Sequence, residues 1–511
     1  MFSFSHISSP RPVRLAILAC ALLGACSGSN NDAEATPETA AAPSSEQQGP
    51  SAGEAAFEHL AGNASAEQVA AAEQALASEL DRDWPLHGLV TGVRVVVHKE
   101  PDGDSPPVGW LRAGSRVRLA AEPTRAEGCA SGFYRVHPRG YACAGQGITV
   151  GDTAPEAPFE VPPPPRDAAL PFTYYYVKDP MVPLYHRLPS RDDQRAAAAY
   201  SARYLELLGD NERRAERFLA GDLGNEPHKP DVVAHFLDRG FFLASTGVEV
   251  RAFRRFVRTM TGGYVKQAHL EQRTGSDWHG MDVDADHPLP MAFTLRAARL
   301  LTRQERADGS TRWVNDPDAE VIPRRTVLEH YLGRHRVGDD IMHEVEGERF
   351  LQPWTVGVAE AVDPPFEVED DEPWVHVDLS EQTLVVYRGH APVYVTLISS
   401  GRDGHDTPTG VFEIQKKFIS DTMGNLGEDA GDDRYRIEDV PWTQYFDSSV
   451  ALHGAFWHNG FGLQRSHGCV NLSPTDAHRV WNETWPVIPQ GWQGVATDHT
   501  GFRASRVVVT E

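Results

Sequence analysis

Residues 374–401, "WVHVDLSEQTLVVYRGHAPVYVTLISSG", alternate apolar and polar side chains in short runs broken by turn residues. Val375, Val377 and Leu379 fall on one face, and Leu384–Tyr387 and Val393–Ile398 follow after breaks. A period of two suits a strand with one buried face and cannot line up along a helix. "TPTGVFEI" adds a further turn and strand. The same texture runs through residues 86–152, where "GVRVVVHKEP", "GSRVRLAAEP" and "FYRVHPRGYAC" lie between glycine, proline and aspartate. At 511 residues the chain exceeds what one core can serve. We expect about three or four units, mainly β.

The ends of these units are marked by composition. Arg11 and Arg14 precede the apolar run "LAILACALLGA", too short for a stable span, so residues 1–25 read as a secretory signal. "LGAC", Leu23 to Cys26, resembles the bacterial lipoprotein cleavage box. That resemblance implies a lipid anchor on Cys26; the alternative is plain secretion. Ser27 follows, in place of the aspartate that often marks retention at the inner membrane, so the outer membrane is favoured. Residues 26–56 lack large apolar groups and read as a disordered tether. "SAEQVAAAEQALASEL", 65–80, has a capping-box spacing from Ser65 to Gln68 and predicts a helix.

Residues 86–152 resemble bacterial SH3-like domains, an unrelated small barrel being the alternative. The stretch 153–171 holds four consecutive prolines from Pro162 and reads as a semi-rigid linker. In the middle, 172–365, a mixed α+β region, Ser190 caps a helix with Asp192 and Asp193 in its first turn and Gly209 as stop. "FVRTMTGGYVKQAHL" echoes "YRVHPRGYACAGQGI" upstream, suggesting a second SH3-like copy with an insertion. Two metal-like patterns there fail. "DVDADH", Asp282 to His287, lacks the glycine and bidentate glutamate of a calcium loop, and "HEVEG", His343 to Gly347, lacks the second histidine of a zinc helix.

The chemistry gathers in residues 453–472, "HGAFWHNGFGLQRSHGCVNL". Of five cysteines, Cys20 leaves with the signal and Cys26 takes the lipid. Outside the cytoplasm thiols tend to pair, so we expect Cys129 to bridge Cys143 and leave Cys469 free. An imidazole beside Cys469 can take its proton and make a nucleophilic thiolate. His467 shares a face with Cys469 if the segment is extended, while a hairpin-sized loop would return His453 to it. Gly468 admits a carbonyl to backbone N–H groups able to hold an oxyanion. The same residues allow two other readings: an inert buried thiol, or a zinc site from His453, His458, His467 and Cys469. After the motif, Ser473, Pro474 and Asp476 begin a helix.

This stretch resembles the signature of the L,D-transpeptidase family, the YkuD-type catalytic domain, in the block Ser466, His467, Gly468, Cys469, Val470 and Asn471 preceded by His453. "VDLSEQTLVVY", "TPTG" and "VPWTQYF" are similar to its flanking strands. The resemblance implies a β-sandwich-like catalytic domain over 373–511, with Cys469 as nucleophile and His453 as acid/base, oriented by the carbonyl of Gly454. It implies an oxyanion hole from His467 to Cys469, including Gly468. Ser466 and Asn471 are expected to shape the loop, and Trp457 and His458 to cover the site. The implied partners are peptidoglycan peptide stems, with no metal or organic cofactor. Two rivals stay open: a hydrolase of the same fold, and a wall-binding lipoprotein without activity. A net charge of −24 argues against nucleic acid as a partner. The expected location is the bacterial envelope, facing the periplasm.

Overall fold

The computed structural model describes residues 77–156, 164–337, 340–426, 434–498 and 500–511. The signal, Cys26, the tether and most of the 65–80 helix lie outside these, although residues 77–83 are helical.

Three small β units follow one another with the same order of strand pairing. In the first, Leu86–Val90 pairs with both Arg116–Leu119 and the last strand, Ile148–Gly151. Arg94–His98 pairs with Pro107–Arg112 and touches Tyr141–Cys143, and Cys129–Arg135 lies between Thr124–Ala126 and Tyr141–Cys143. The second repeats this. Thr173–Val177 pairs with Phe242–Arg251 and Leu270–Arg273; Val182–Tyr185 pairs with Val233–Leu237 and reaches Tyr264; Arg254–Thr259 sits between Phe242–Arg251 and Tyr264–Lys266. In the third, Met291–Thr294 pairs with Val356–Ala359 and bridges to Val327 through Phe293. Leu301–Glu305 pairs with Thr311–Asn315 and Arg349–Leu351, and Asp340–Glu344 lies between Gly333–Val337 and Arg349–Leu351. A first strand that pairs with both a middle and the last strand folds the sheet back on itself and shields edges that would otherwise stay open. The single upstream echo noticed in the sequence thus belongs to a set of three.

The insertion in the second unit is a helix pair between its second and third strands. Arg191–Asp210 begins with a capping box, Ser190 Oγ accepting from Asp193 N–H at 3.1 Å and the Asp193 carboxylate accepting from Ser190 N–H at 2.9 Å. Gly209 does not end it. Asn211 does, closing this helix and capping the next, Glu212–Leu219, through its own side chain. Cys129 and Cys143 are joined, and Cys469 is the free cysteine among the described residues.

The remaining chain forms two layers. One sheet orders Met281–Asp282, Ala391–Leu397, Thr383–Arg388, Pro373–Asp378, Arg506–Thr510 and Gly410–Glu413. The other contains Lys416–Asn425, Tyr435–Asp447, Val450–Gly454 and Val470–Leu472. Val375, Val377, Leu384 and Val386 of the first layer share a core with Trp442, Phe446, Leu452 and Val470 of the second. The helix Pro474–Glu483, capped by Ser473 Oγ on Asp476 N–H, packs against it.

The β units are fused to these layers. Gly109 pairs with Val495 and Trp110 with Gly494, and a side chain at 109 would collide with the Trp492 ring. Residues 164–171, expected to be spacer, are fastened down. Arg166 donates to the carbonyls of Ile488 and Pro489, both at 2.7 Å, and Trp442 Nε1 donates to Ala169 O at 2.7 Å. At the centre of the junction the Arg112 guanidinium grips the Asp439 carboxylate with both partners mostly buried, while Tyr174 OH donates to Asp439 O at 2.7 Å. The first and second units and the two-layer body therefore meet at Asp439. Removing one partner of a buried pair strands the other charge. Arg112→Met is expected to lower stability by about 3 kcal/mol in urea denaturation, and Arg112→Met with Asp439→Leu to recover most of it.

Candidate active site

Val450–Gly454 and Val470–Leu472 run parallel, with Leu452 opposite Val470, His453 opposite Asn471 and Gly454 opposite Leu472. Parallel neighbours cannot be joined by a tight hairpin. The loop between them is accordingly a crossover spanning residues 455–469, which corrects the hairpin expected from the spacing. Cys469 stands one step before its strand, so the register sets it diagonally beside His453. Its Sγ lies 3.7 Å from Ser449 O, and the Ala451 N–H is directed at the sulfur.

The block before the nucleophile is zipped to residues 399–407, whose part the sequence did not suggest. Ser399 and Asn471 exchange both backbone hydrogen bonds, at 2.9 and 3.0 Å. Arg465 and Ser466 N–H donate to Ser400 O, and Arg402 N–H donates to Ser466 O at 3.0 Å. Thr407 Oγ1 donates to Gly468 O at 2.8 Å. Ser466 Oγ donates to Cys469 O at 2.5 Å and accepts from Gly468 N–H at 3.1 Å. Gly468 has φ +112°, a conformation that suits glycine. Two expectations change here. The Gly468 N–H is occupied by Ser466 in the free protein, so the middle donor of the expected oxyanion hole is engaged. The segment turns at Ser466–Cys469 where an extended run was expected. His467 is exposed, its Nε2 3.0 Å from Arg402 Nη2, stacked on Tyr435 at 5.5 Å and edge-on to His405 at 4.7 Å.

His453 is only 2% exposed, and burial pushes its imidazole down to about 4. The Gly454 carbonyl acts the other way, but Nδ1 meets no partner in hydrogen-bond geometry. Trp457 stacks on the ring at 5.6 Å. Burial pushes the Cys469 thiol up to about 11, with the Ala451 N–H opposing. Both shifts favour the neutral forms, a thiol and an imidazole, over the thiolate that the motif suggested, although Cys469 itself is only half-buried.

His458 is also held down to about 4, chiefly by burial. Its Nδ1 accepts from Gly460 N–H at 3.1 Å, so its proton sits on Nε2, 2.9 Å from Asn471 Nδ2. Two donors cannot face each other, and the neighbouring Asn471 Oδ1 is buried without a partner. Rotating the amide by half a turn resolves both defects, with Oδ1 accepting from Nε2–H. His458 thus anchors Asn471 opposite His453.

The four residues of the zinc reading do not converge. His458 is spent on Gly460 and Asn471, His467 faces Arg402, and among the described residues no group of three metal-ligating side chains assembles. In the failed calcium loop, Asp284 Oδ1 accepts from Asp286 and His287 N–H, making an Asx turn. His343 is buried on a strand beside Tyr331 OH. The residues missed in the sequence are Arg402, His405, Thr407 and Tyr435. Only "TPTG" was visible there, as a turn.

Residues 372–488 match the family model for the YkuD L,D-transpeptidase catalytic domain. Three solved structures are similar to this chain. A cysteine-to-serine mutant of Enterococcus faecium L,D-transpeptidase is 21% identical over 30% of this chain and 55% of its own, with TM-score 0.22. An L,D-transpeptidase from Mycobacterium tuberculosis H37Rv is 19% identical over 42% of this chain and 80% of its own, with TM-score 0.21. The catalytic domain of E. faecium L,D-transpeptidase is 23% identical over 27% of this chain and 98% of its own, with TM-score 0.21. The chain thus spans about half the length of the first of these. No curated protein matches it.

With both groups neutral, alkylation of Cys469 by iodoacetamide in the free protein is expected to climb steadily with pH towards about 11. A rate plateau established below pH 7 would mean a resting thiolate–imidazolium pair and overturn this account.

Proposed function

We propose that this chain is a peptidoglycan L,D-transpeptidase that works through a thioester on Cys469. The observation that carries the reading is the match of residues 372–488 to the family model, over a segment in which His453 and Cys469 lie on adjacent parallel strands. Cys469 Sγ attacks the carbonyl carbon after the third residue of a tetrapeptide stem, typically diaminopimelate, as its proton passes to His453. The C–N bond then breaks, and His453 returns the proton to the departing D-alanine amine. An acceptor amine attacks the thioester, loses its proton to His453, and the thiol is restored. The acceptor is a second stem, giving a 3→3 cross-link, or a protein lysine.

Backbone N–H groups around Cys469 would hold the oxyanion. For Gly468 to take part, Ser466 Oγ must release its N–H; in this reading Ser466 shapes the loop. Trp457 covers His453 from one side, and His458 packs edge-on against Trp457 while holding Asn471. In this reading Cys26 carries a lipid that holds the protein to a bacterial membrane, the outer one favoured, and the three β units are SH3-like. The runner-up is a hydrolase of the same fold, which shares every step up to the thioester. An inactive wall-binding protein is disfavoured because nothing in mere binding calls for the His453–Cys469 pair.

The test is incubation of the full chain with tetrapeptide wall fragments, read by mass spectrometry. Cross-linked dimers with loss of D-alanine support the transferase, tripeptides alone the hydrolase, and no turnover the inactive protein. His453→Ala is expected to lower turnover by at least about a hundredfold, and Cys469→Ala to abolish it.

A further inference from the structure

The second half of the crossover loop is zipped to the two-layer body, whereas its first half, residues 456–462, is also gripped from outside it. At its start Phe456 stacks on Tyr174 of the second β unit, ring centroids 3.9 Å apart. Phe242 of the same unit meets Phe456 at 5.7 Å and Trp457 at 6.2 Å. At its middle, Asn459 Oδ1 accepts from Ser276 Oγ at 2.6 Å, in the connector between the second and third units, and from Arg325 Nη1 of the third. Ser276 Oγ is itself fixed by Trp278 N–H at 3.1 Å and Arg325 Nη1 at 3.2 Å. Two residues on, Arg324 Nη2 donates to Phe461 O at 2.9 Å, and Phe461 is buried with Met291, Phe293 and Leu295 of the third unit together with Trp374, Val395 and Leu397 of the body. Gly462 lies so close to Leu295 that a Cβ there would sit 3.0 Å from its Cδ2.

Two details indicate that this grip is specific. Arg325 has φ +63°, a backbone conformation rare for a side-chain-bearing residue, and it is the residue that reaches Asn459. The adjacent arginines 324 and 325 also take different points of one loop, although neighbouring cations repel. The middle of what they hold is Trp457, stacked on His453 and keeping it from water.

We propose that the second and third β units form a clamp in which Phe242, Ser276 and Arg325 are positioning residues that seat Trp457 over His453. The clamp acts on the catalytic imidazole through the loop and touches no reacting atom. It rests on the assignment of His453 and Cys469 made above, and gives the two units a role inside the enzyme as distinct from attachment to the wall.

The test compares the full-length protein with Arg325→Ala, Arg325→Lys, Ser276→Ala and Phe242→Leu. Loosening the loop hydrates His453, and burial is what holds that ring low, so its protonation moves upward. In the parent the iodoacetamide profile of Cys469 climbs without a break above about pH 4, and we expect Arg325→Ala to introduce a break in the ordinary histidine range, where His453 gains its proton. Turnover should fall about tenfold to a hundredfold with KM little changed, and Arg325→Lys should restore part of it. Thermal unfolding of Ser276→Ala and Arg325→Lys separates loop placement from global damage. If all four variants keep the parent's inactivation profile, the clamp is refuted. The inactivation profile needs no substrate. A clamp that operates in a protein inactive on peptide stems would show the profile change without turnover, which isolates failure of the proposed reaction from failure of the clamp.

Discussion

The parallel pairing of Val450–Gly454 with Val470–Leu472 is the constraint on which the site depends. Placed side by side in the same direction, the two strands bring His453 and Cys469 within one diagonal step. The same choice forces a crossover loop, and that loop cannot cover its own polar groups. Its backbone and side chains are satisfied by Ile398, Ser399 and Ser400 on one side and by the second and third β units on the other. Catalytic geometry and interdomain contact are thus two consequences of one register.

That register also explains the neutral pair. The fully buried imidazole and the half-buried thiol each lose solvation that favours their charged forms, so burial drives their proton affinities apart. A resting thiolate would be reactive towards any electrophile that reached it. In the proposed reaction a neutral pair would postpone proton transfer until a carbonyl occupies the site. The close cover of His453 by Trp457 is consistent with such a design, because hydrating the ring would weaken the separation.

Much of this was legible in the sequence, for physical reasons that differ by region. The strands along 374–398 were legible from their alternation, although the structure buries both faces where one wet face was expected. Val375 and Val377 lie in one core and Trp374, Val385 and Tyr387 in another. The helix over Pro474–Glu483 begins at a Ser-Pro pair whose chemistry is local. The helix from Arg191 was equally plain, but its end was not. Gly209 remains helical because Asn211 supplies a cap that serves two helices at once, and only the second helix reveals it. The crossover was hidden because spacing alone does not give strand direction. Arg402, His405 and Tyr435 were hidden because they meet the motif through long-range pairing. The threefold repeat was nearly invisible, since pairing order can persist when side chains do not.

The three β units share a pairing order yet attach to the body in different ways. The first extends a sheet, backbone to backbone, at Gly109 and Trp110. The second makes a single strand bridge at Phe242 to Ile437, a hydrogen bond from Tyr174 OH to Asp439 O, and aromatic packing. The third shares an apolar core with the body, Met291, Phe293 and Leu295 against Trp374, Tyr387 and Leu397, and adds arginine contacts to carbonyl and amide oxygens of the loop. A continuous ladder fixes orientation through several bonds that must break together, whereas single side-chain contacts can loosen one at a time. The loop over His453 is gripped by the two units that lack such a ladder to the body, so they reach the histidine only through side-chain contacts with that loop.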